Sequence, residues 1–446
     1  MNDTICALAT APGRAAVAVV RLSGARAGEI LESLSHRTRP KARQASVRRL
    51  FTTQGKPLDE ALVLYLSGPA SFTGEDVVEL HLHGGRAVVS GVMAALLELG
   101  ARAAGPGEFT RRAFENGKLS LAEAEGVADL VDAESEAQRL QALGQLSGEM
   151  DRRFETWRES LLHALAQVEA AIDFPDEEVP ETVTQDLRLR LEALERDLDA
   201  ALHDQRGEAI REGYKVALIG APNAGKSSLF NALVRRDAAI VTEIAGTTRD
   251  LLEAPLVLGG YSVLLSDTAG LRETGDVVER EGVVRARRGA AAADLRLWVI
   301  DTSQPLDAEA RSAEEFLVSA DWIIENKADV SRETSVSATL DALPNRRFLV
   351  SARTGLGVEE LRNALVAQVA ATLGGAELPA TTRARHKALL GAALDDLRQA
   401  LKSFHLGAEL IGEDLRLTAR HLERMSGRID SEDVLSRVFS SFCIGK

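Results

Sequence analysis

Five short motifs lie in order between residues 213 and 353, at spacings that suit one chemistry, the holding and cleaving of a guanine nucleotide. They are Gly220-Ala-Pro-Asn223-Ala224-Gly225-Lys226-Ser227, Ala245-Gly246-Thr247-Thr248-Arg249, Asp267-Thr268-Ala269-Gly270, Asn326-Lys327-Ala-Asp329 and Ser351-Ala352-Arg353. Glycines 220 and 225 let backbone N–H groups wrap phosphates at the start of the helix that runs on through Ser228, where the helix dipole favours an anion. Lys226 then reaches the β- and γ-phosphates, while Ser227 and Thr248 supply hydroxyls for Mg²⁺. Asp267 closes an apolar strand where it can touch the Mg²⁺ shell through water, and Gly270 can offer its N–H to the γ-phosphate. The Asp329 carboxylate suits the N1–H and 2-amino donors of guanine, which adenine lacks. The Asn-Lys-x-Asp run therefore selects GTP over ATP.

One expected group is missing. Leu271 follows Gly270, where Ras-like proteins carry a water-orienting glutamine. Hydrolysis must use other groups, and the stretch Arg272–Glu281 brings carboxylates to this segment. Asn223 places a neutral oxygen beside the phosphates, either as loop filler or as a ligand for a monovalent cation.

These side chains need a scaffold. Lys215–Gly220 reads as a short buried strand feeding the loop, Ser228–Leu233 as the following helix and Tyr261–Ser266 as a strand. Before this module, Ala15–Leu22, Leu62–Ser67 and Val77–Leu82 read as strands and Ala87–Leu99 as a helix with Gly100 just past its end. From Leu119 the apolar spacing turns helical, through Phe154, Trp157, Leu161, Leu165, Val168 and Ile172, then Leu187, Leu191, Leu194, Leu198 and Leu202. The stripe resumes at Leu390, Leu394, Leu397, Leu401 and Phe404. The roughly 70 residues after Gly375 are few for a core of their own. The reading is a multidomain chain: an α+β N-terminal domain over 1–118, a discontinuous all-α helical domain over 119–212 and 376–446, and an inserted α/β P-loop GTPase domain over 213–375. Gly213 and Gly374-Gly375 mark the two crossings.

A length of 446 residues, 45% apolar and 27% charged, suits several soluble domains, and the apolar runs fall short of a membrane span. Asp3 and Arg14 break any signal-peptide pattern, and two cysteines, Cys6 and Cys443, suit a reducing cytoplasm. Net charge is −14, yet Arg37–Arg49 holds six Lys and Arg and no acid, as a solvated loop or an RNA-facing one.

Ala104-Gly-Pro-Gly-Glu-Phe-Thr-Arg-Arg-Ala-Phe-Glu-Asn-Gly-Lys118, Leu121-Ala-Glu-Ala-Glu-Gly-Val-Ala-Asp-Leu130, Phe72-Thr-Gly-Glu-Asp76 and the terminal Phe442-Cys443-Ile-Gly-Lys446 resemble the MnmE/TrmE family of tRNA-modification GTPases. The resemblance runs from Asp3 to the last residue. It implies a folate-binding N-terminal domain that forms a homodimer, and a partnership with the flavoprotein GidA (MnmG) in a heterotetramer. Together these add a carboxymethylaminomethyl or aminomethyl group at the wobble uridine, position 34, of certain tRNAs. Carried over residue by residue, Arg21, Glu79, Lys118 and Lys446 match contacts to 5-formyltetrahydrofolate or another reduced folate, with Glu75 the alternative to Glu79. Asn223 with Thr242, Ile244 and Thr247 matches a K⁺ cage, and Glu243 joins the nucleotide-binding run Thr242–Thr248. Glu279 matches a water-positioning glutamate, and Cys443 is a candidate nucleophile.

Taken alone, Arg21 and Lys118 suit the carboxylates of a reduced folate or a solvated surface equally. His81 and His83 share one face of a strand without a recognisable third metal ligand. The rival function is a regulatory GTPase of ribosome assembly like Era or Der. Residues 376–446 lack the Gly-x-x-Gly spacing of an Era-type RNA-binding domain, and the terminal Cys-x-Gly-Lys has no role in that reading.

Overall fold

The computed structural model describes residues 3–173, 181–237, 252–267, 293–303, 320–330, 345–405, 407–427, 435, 438–440 and 442–445. The chain divides into two compact units, one of Met1–Ala128, Gly144–Leu198 and Leu389–Lys446, the other of Asp129–Leu143 and Asp199–Ala388.

The first unit begins with a six-stranded sheet. Its strands are β1 (Ile5–Leu8), β2 (Val17–Ser23), β3 (Ser46–Phe51), β4 (Pro57–Leu66), β5 (Val77–His83) and β6 (Arg102–Ala103), in the order β3-β4-β5-β2-β1-β6. All neighbours are antiparallel except β1 and β6. Strand alternation decides which side chains go inside. Val20 and Leu22 of β2 and Val78, Leu80 and Leu82 of β5 join Ile30, Leu31 and Leu34 of α1 (Ala27–Ser35) and Val92 and Leu96 of α2 (Arg86–Glu98) in one core. Arg21 and Glu79, one residue out of phase, fall on the opposite face as direct register partners. Gly100, at φ 93°, ends the α2 turn as its sequence position requires.

α3 (Glu108–Glu115) leads through Lys118 to α4 (Leu121–Asp132), which opens on a reciprocal cap. Ser120 Oγ accepts the Glu123 N–H at 3.0 Å, and Glu123 Oε2 accepts the Ser120 N–H at 2.8 Å. α5 (Glu136–Leu146) and the 25-residue α6 (Glu149–Asp173) follow. The stripe Phe154, Trp157, Leu161, Leu165 and Val168 is buried, and α6 packs on the helix Ala408–Met425. Leu187, Leu191, Leu194 and Leu198 of α7 (Glu181–His203) and Leu390, Leu394 and Leu397 of the helix Ala384–Lys402 are buried as their spacing foretells.

The second unit holds a sheet of β7 (Tyr214–Ile219), β8 (Leu252–Leu258), β9 (Tyr261–Asp267), β10 (Leu295–Asp301), β11 (Trp322–Asn326) and β12 (Arg346–Leu349). Its order is β12-β11-β10-β7-β9-β8, parallel throughout except for β8 against β9. The near-continuous apolar runs of β7 and β10 are those of strands covered on both faces. Where the chain enters and leaves this sheet, α8 (Arg206–Glu212) is fastened to residues 374–387. Arg211 Nε donates to Thr382 O at 3.0 Å, Lys387 pairs with Glu208, and a Cβ on Gly207 would lie 2.2 Å from Thr381 O. Among the described residues no helix is long and apolar enough to cross a membrane.

Candidate functional site

The described parts of the nucleotide motifs follow the carboxyl ends of β7, β9, β11 and β12, where open parallel sheets bind their ligands. The loop after β7 leads into α9 (Lys226–Asp237) through backbone that only glycine tolerates at two points. Gly220 has φ 140° and a Cβ there would sit 2.2 Å from Val299 O. Gly225 has φ 92° and its Cβ would sit 2.2 Å from Asn326 Nδ2. Asn223 takes the left-handed conformation at φ 66° and is exposed, while Ala224 is fully buried. Lys226, 5% exposed, donates from Nζ to Gly220 O and Ala221 O, 2.7 Å each. These carbonyls hold the ammonium at the rim of the loop, where a phosphate would compete for it. Ser228 is exposed on the first turn of α9.

Ser227 Oγ donates to Asp267 Oδ2 at 2.6 Å, and Asp267 is fully buried at the end of β9. A hydroxyl and a buried carboxylate so placed form a hard-oxygen corner suited to Mg²⁺. In the loops expected to recognise the base, Asn326 Nδ2 donates to Ala224 O at 2.9 Å, and its Oδ1 accepts the Ala352 N–H at 3.1 Å. One amide thus ties the phosphate loop to the Ser351–Arg353 loop. Asp329 accepts from Ser351 Oγ at 2.5 Å and from Arg353. The Ser351 bond, more than the Arg353 pair, holds the Asp329 carboxyl below its ordinary range, so it stays an acceptor.

Sequence reading missed Asp301. It ends β10 as Asp267 ends β9, and it pairs with Lys327 Nζ at 2.5 Å, fixing the Asn-Lys-x-Asp loop. Its signal was the apolar run Leu295–Ile300 ending in a carboxylate at a strand's carboxyl end. Thr242, Glu243, Ile244, Ala245, Gly246, Thr247, Thr248, Thr268, Ala269, Gly270, Glu279 and Lys446 lie outside the described residues.

A second constellation sits in the N-terminal sheet. Arg21 donates from Nε and Nη2 to Glu79 Oε1 at 3.0 and 2.9 Å, and its guanidinium lies 5.8 Å from the ring centroids of both Phe72 and Phe109. Glu75 is engaged elsewhere, by Ser23 Oγ at 2.7 Å and the buried Arg112 at 3.2 Å. Lys118 runs past the same Phe72–Glu75 turn, its Cγ 3.4 Å from where a Gly74 Cβ would be. Beside Lys118 a cavity of about 510 Å³ is lined by Phe114, Phe154, Glu123, Asp151 and Arg158. His81 faces Glu79 at 3.7 Å, whereas His83 pairs with Asp59 at 2.7 Å. The histidines turn to separate acids.

The C-terminal tail lies against the N-terminal fold. Gly107 N–H reaches Cys443 O at 3.3 Å, and Ile444 bridges Pro106. The Cys443 thiol is exposed, whereas burial pushes the Cys6 thiol up to about 11. Gly445 has φ 99°, and a Cβ on it would lie 2.3 Å from Leu8 O. Gly445→Ala is therefore expected to undock the tail, since a strained left-handed residue costs about 1–3 kcal/mol before the backbone clash. Carboxypeptidase should release the terminal residues at least fivefold faster, with the GTPase rate unchanged. Gly391→Ala, with nothing within 4 Å of the new Cβ in its helix, serves as the control. It should stabilise by about 0.5–1 kcal/mol in a thermal melt. A tail no more accessible in Gly445→Ala would deny the glycine this role.

Comparison with known proteins agrees along the whole chain. Residues 4–118 match the family description "GTP-binding protein TrmE N-terminus", and residues 121–443 match "MnmE helical domain". The chain is 57% identical over 450 residues to the tRNA modification GTPase MnmE of Caulobacter vibrioides, covering 100% of both chains. It is 52% identical over 456 residues to that of Phenylobacterium zucineum, again covering 100% of both. The G domain of the T. maritima FeoB iron transporter aligns with 35% of this chain and 98% of its own, at 26% identity and a TM-score of 0.27. With its guanine-nucleotide motifs and both flanking regions accounted for, the chain belongs to the MnmE family of tRNA modification GTPases.

Proposed function

We propose that this GTPase works with the flavoprotein GidA (MnmG) to add a carboxymethylaminomethyl or aminomethyl group at C5 of the wobble uridine of certain tRNAs, in the cytoplasm. The observation that carries the reading is the full-length match at 57% identity, which spans the N-terminal domain and the C-terminal tail. The ribosome-assembly reading is not favoured, because it leaves both unused.

In this mechanism Lys226 leaves its two carbonyls for the β- and γ-phosphates. Ser227 and Thr248, with the Asp267 carboxylate, would hold Mg²⁺, which would supply charge neutralisation on the phosphates. Asp329, fixed by Ser351, accepts from guanine. Asn223, Thr242, Ile244 and Thr247 would hold K⁺, which would supply further positive charge beside the phosphates, and Glu279 would orient the attacking water. Arg21, Glu79, Lys118 and Lys446 bind a reduced folate such as 5-formyltetrahydrofolate, and residues 1–118 form the homodimer contact. The half-buried Phe72 beside Arg21 supports a ligand with a flat ring, and the cations of Arg21 and Lys118 support one with carboxylates. The functional division is 1–118, then 119–212 with 376–446, with 213–375 inserted.

Mass spectrometry of tRNA nucleosides tests the reading. Cells lacking the protein should lose the C5-modified wobble uridines and regain them from the wild-type gene. Unaltered wobble uridines would reject it.

A further inference from the structure

Between Glu32 and Asp59 the chain carries seven Lys and Arg residues and no acid, in a protein of net charge −14. This segment runs from the last turn of α1 through β3, the edge strand of the N-terminal sheet, to the start of β4. Three of its arginines act as staples. Arg48, 7% exposed, donates from Nη1 to Thr38 O at 2.6 Å and Arg37 O at 3.4 Å, so it holds the loop from beneath. Arg39 pairs with Glu32 at 2.8 Å and lies 5.8 Å from the Tyr65 ring centroid. Arg43, in the left-handed conformation at φ 64°, donates to Ala70 O. So fixed, the loop presents Arg37 and Lys41 exposed, and neither forms an ion pair with a described residue.

We infer that the Arg37–Arg43 loop, backed by Arg48, is a docking surface for the phosphate backbone of RNA. The two unpaired cations, Arg37 and Lys41, stand no more than about 14 Å apart along the chain, with the stapled Arg39 between them and Arg43 beyond. Such a row suits a linear polyanion better than one small anion. Arg37 and Arg48 repel one another: burial first, and then the charge of Arg37, pushes the Arg48 guanidinium down from its ordinary range. A phosphate relieves that repulsion, and a loop already ordered loses little entropy on binding. Residues 36–45 contain no large apolar side chain to insert into a bilayer, which separates this surface from a membrane anchor. β3 lies four strands from β1, about 19 Å at the usual spacing, and Gly445 of the tail packs on Leu8 and Ala9 at β1. One RNA could therefore touch both places.

The inference rests on the tRNA reading above, and the experiment separates the two. The probe is an unmodified tRNA transcript with U34, bound to the full-length chain in a fluorescence-anisotropy titration from 50 to 200 mM KCl. Arg37→Glu/Lys41→Glu is expected to weaken binding about tenfold per cation at low salt and to lower the salt slope by about two. GTP hydrolysis without RNA should be unchanged. Arg37→Lys should bind as wild type does, because the contact is one of charge. Circular dichroism checks folding, and Arg37→Gln/Lys41→Gln gives a milder version with half the effect if the reversal unfolds. Equal tRNA affinity in wild type and double variant overturns the surface while leaving wobble-uridine modification intact. Loss of binding to phosphatidylserine vesicles in place of tRNA likewise overturns it. Absent modified uridines in cells, by contrast, would strike the underlying reading.

Discussion

Exchanging K⁺ for Na⁺ at matched ionic strength is expected to slow GTP hydrolysis by about two orders of magnitude. Phosphoryl transfer needs charge neutralised between the β- and γ-phosphates, a task that an arginine finger performs elsewhere for 10³–10⁵ in rate. Leu271 stands where a water-orienting glutamine would, so the usual arrangement is not available. Asn223 is exposed in the phosphate loop at φ 66°, a conformation that asparagine tolerates better than most residues. Its side-chain oxygen is the neutral donor that a monovalent cation prefers over a carboxylate, which would draw a harder ion. Asn223→Ala should bring the K⁺ rate down to the Na⁺ rate without altering the Na⁺ rate. Glu279→Ala should lose hydrolysis and keep GTP affinity, since a group that orients water contributes only in the transition state. Equal rates in the two salts would end the cation mechanism whatever the glutamate does.

The second large effect concerns base choice. Asp329→Asn is expected to weaken GTP binding by one to two orders of magnitude in a calorimetric titration. The wild-type carboxylate would accept from two guanine donors, and the Ser351 hydroxyl keeps it oriented at 2.5 Å. An amide can accept from one donor and must face the other with its own N–H₂. Xanthine, which carries a carbonyl in place of the 2-amino group, should in turn gain affinity for the variant. Ser351→Ala should give a smaller loss, because it frees the carboxylate to turn without removing it. Unchanged GTP affinity in Asp329→Asn would take the 326–329 loop out of base recognition.

The sequence by itself determined the choice of a guanine nucleotide and the type of three elements around it, β7, α9 and β9. Glycine at 220 and 225, lysine at 226 and aspartate at 329 are each required by local backbone or by the ligand's own donors, so they are legible without a partner in view. The helical stripes are legible for the same reason, because period 3.6 is a property of one segment. Edge strand β3, with two adjacent arginines, escaped that reading, since its strand state comes from pairing with β4 and not from its own pattern.

What only the tertiary structure decided are the pairings between distant segments. Arg21 takes Glu79 and leaves Glu75 to Arg112, because β2 and β5 are register partners across 58 residues, and a one-residue slip would have exchanged the faces. Asn326 binds Ala224 O across 102 residues, and Asp301 holds Lys327, contacts that no local spacing announces. Gly445 needs its freedom both for its φ of 99° and because Leu8 O stands over it. Spacing along a chain fixes what a segment can become; which acid meets which base depends on strand order and register, and these are set by the packing of the whole fold.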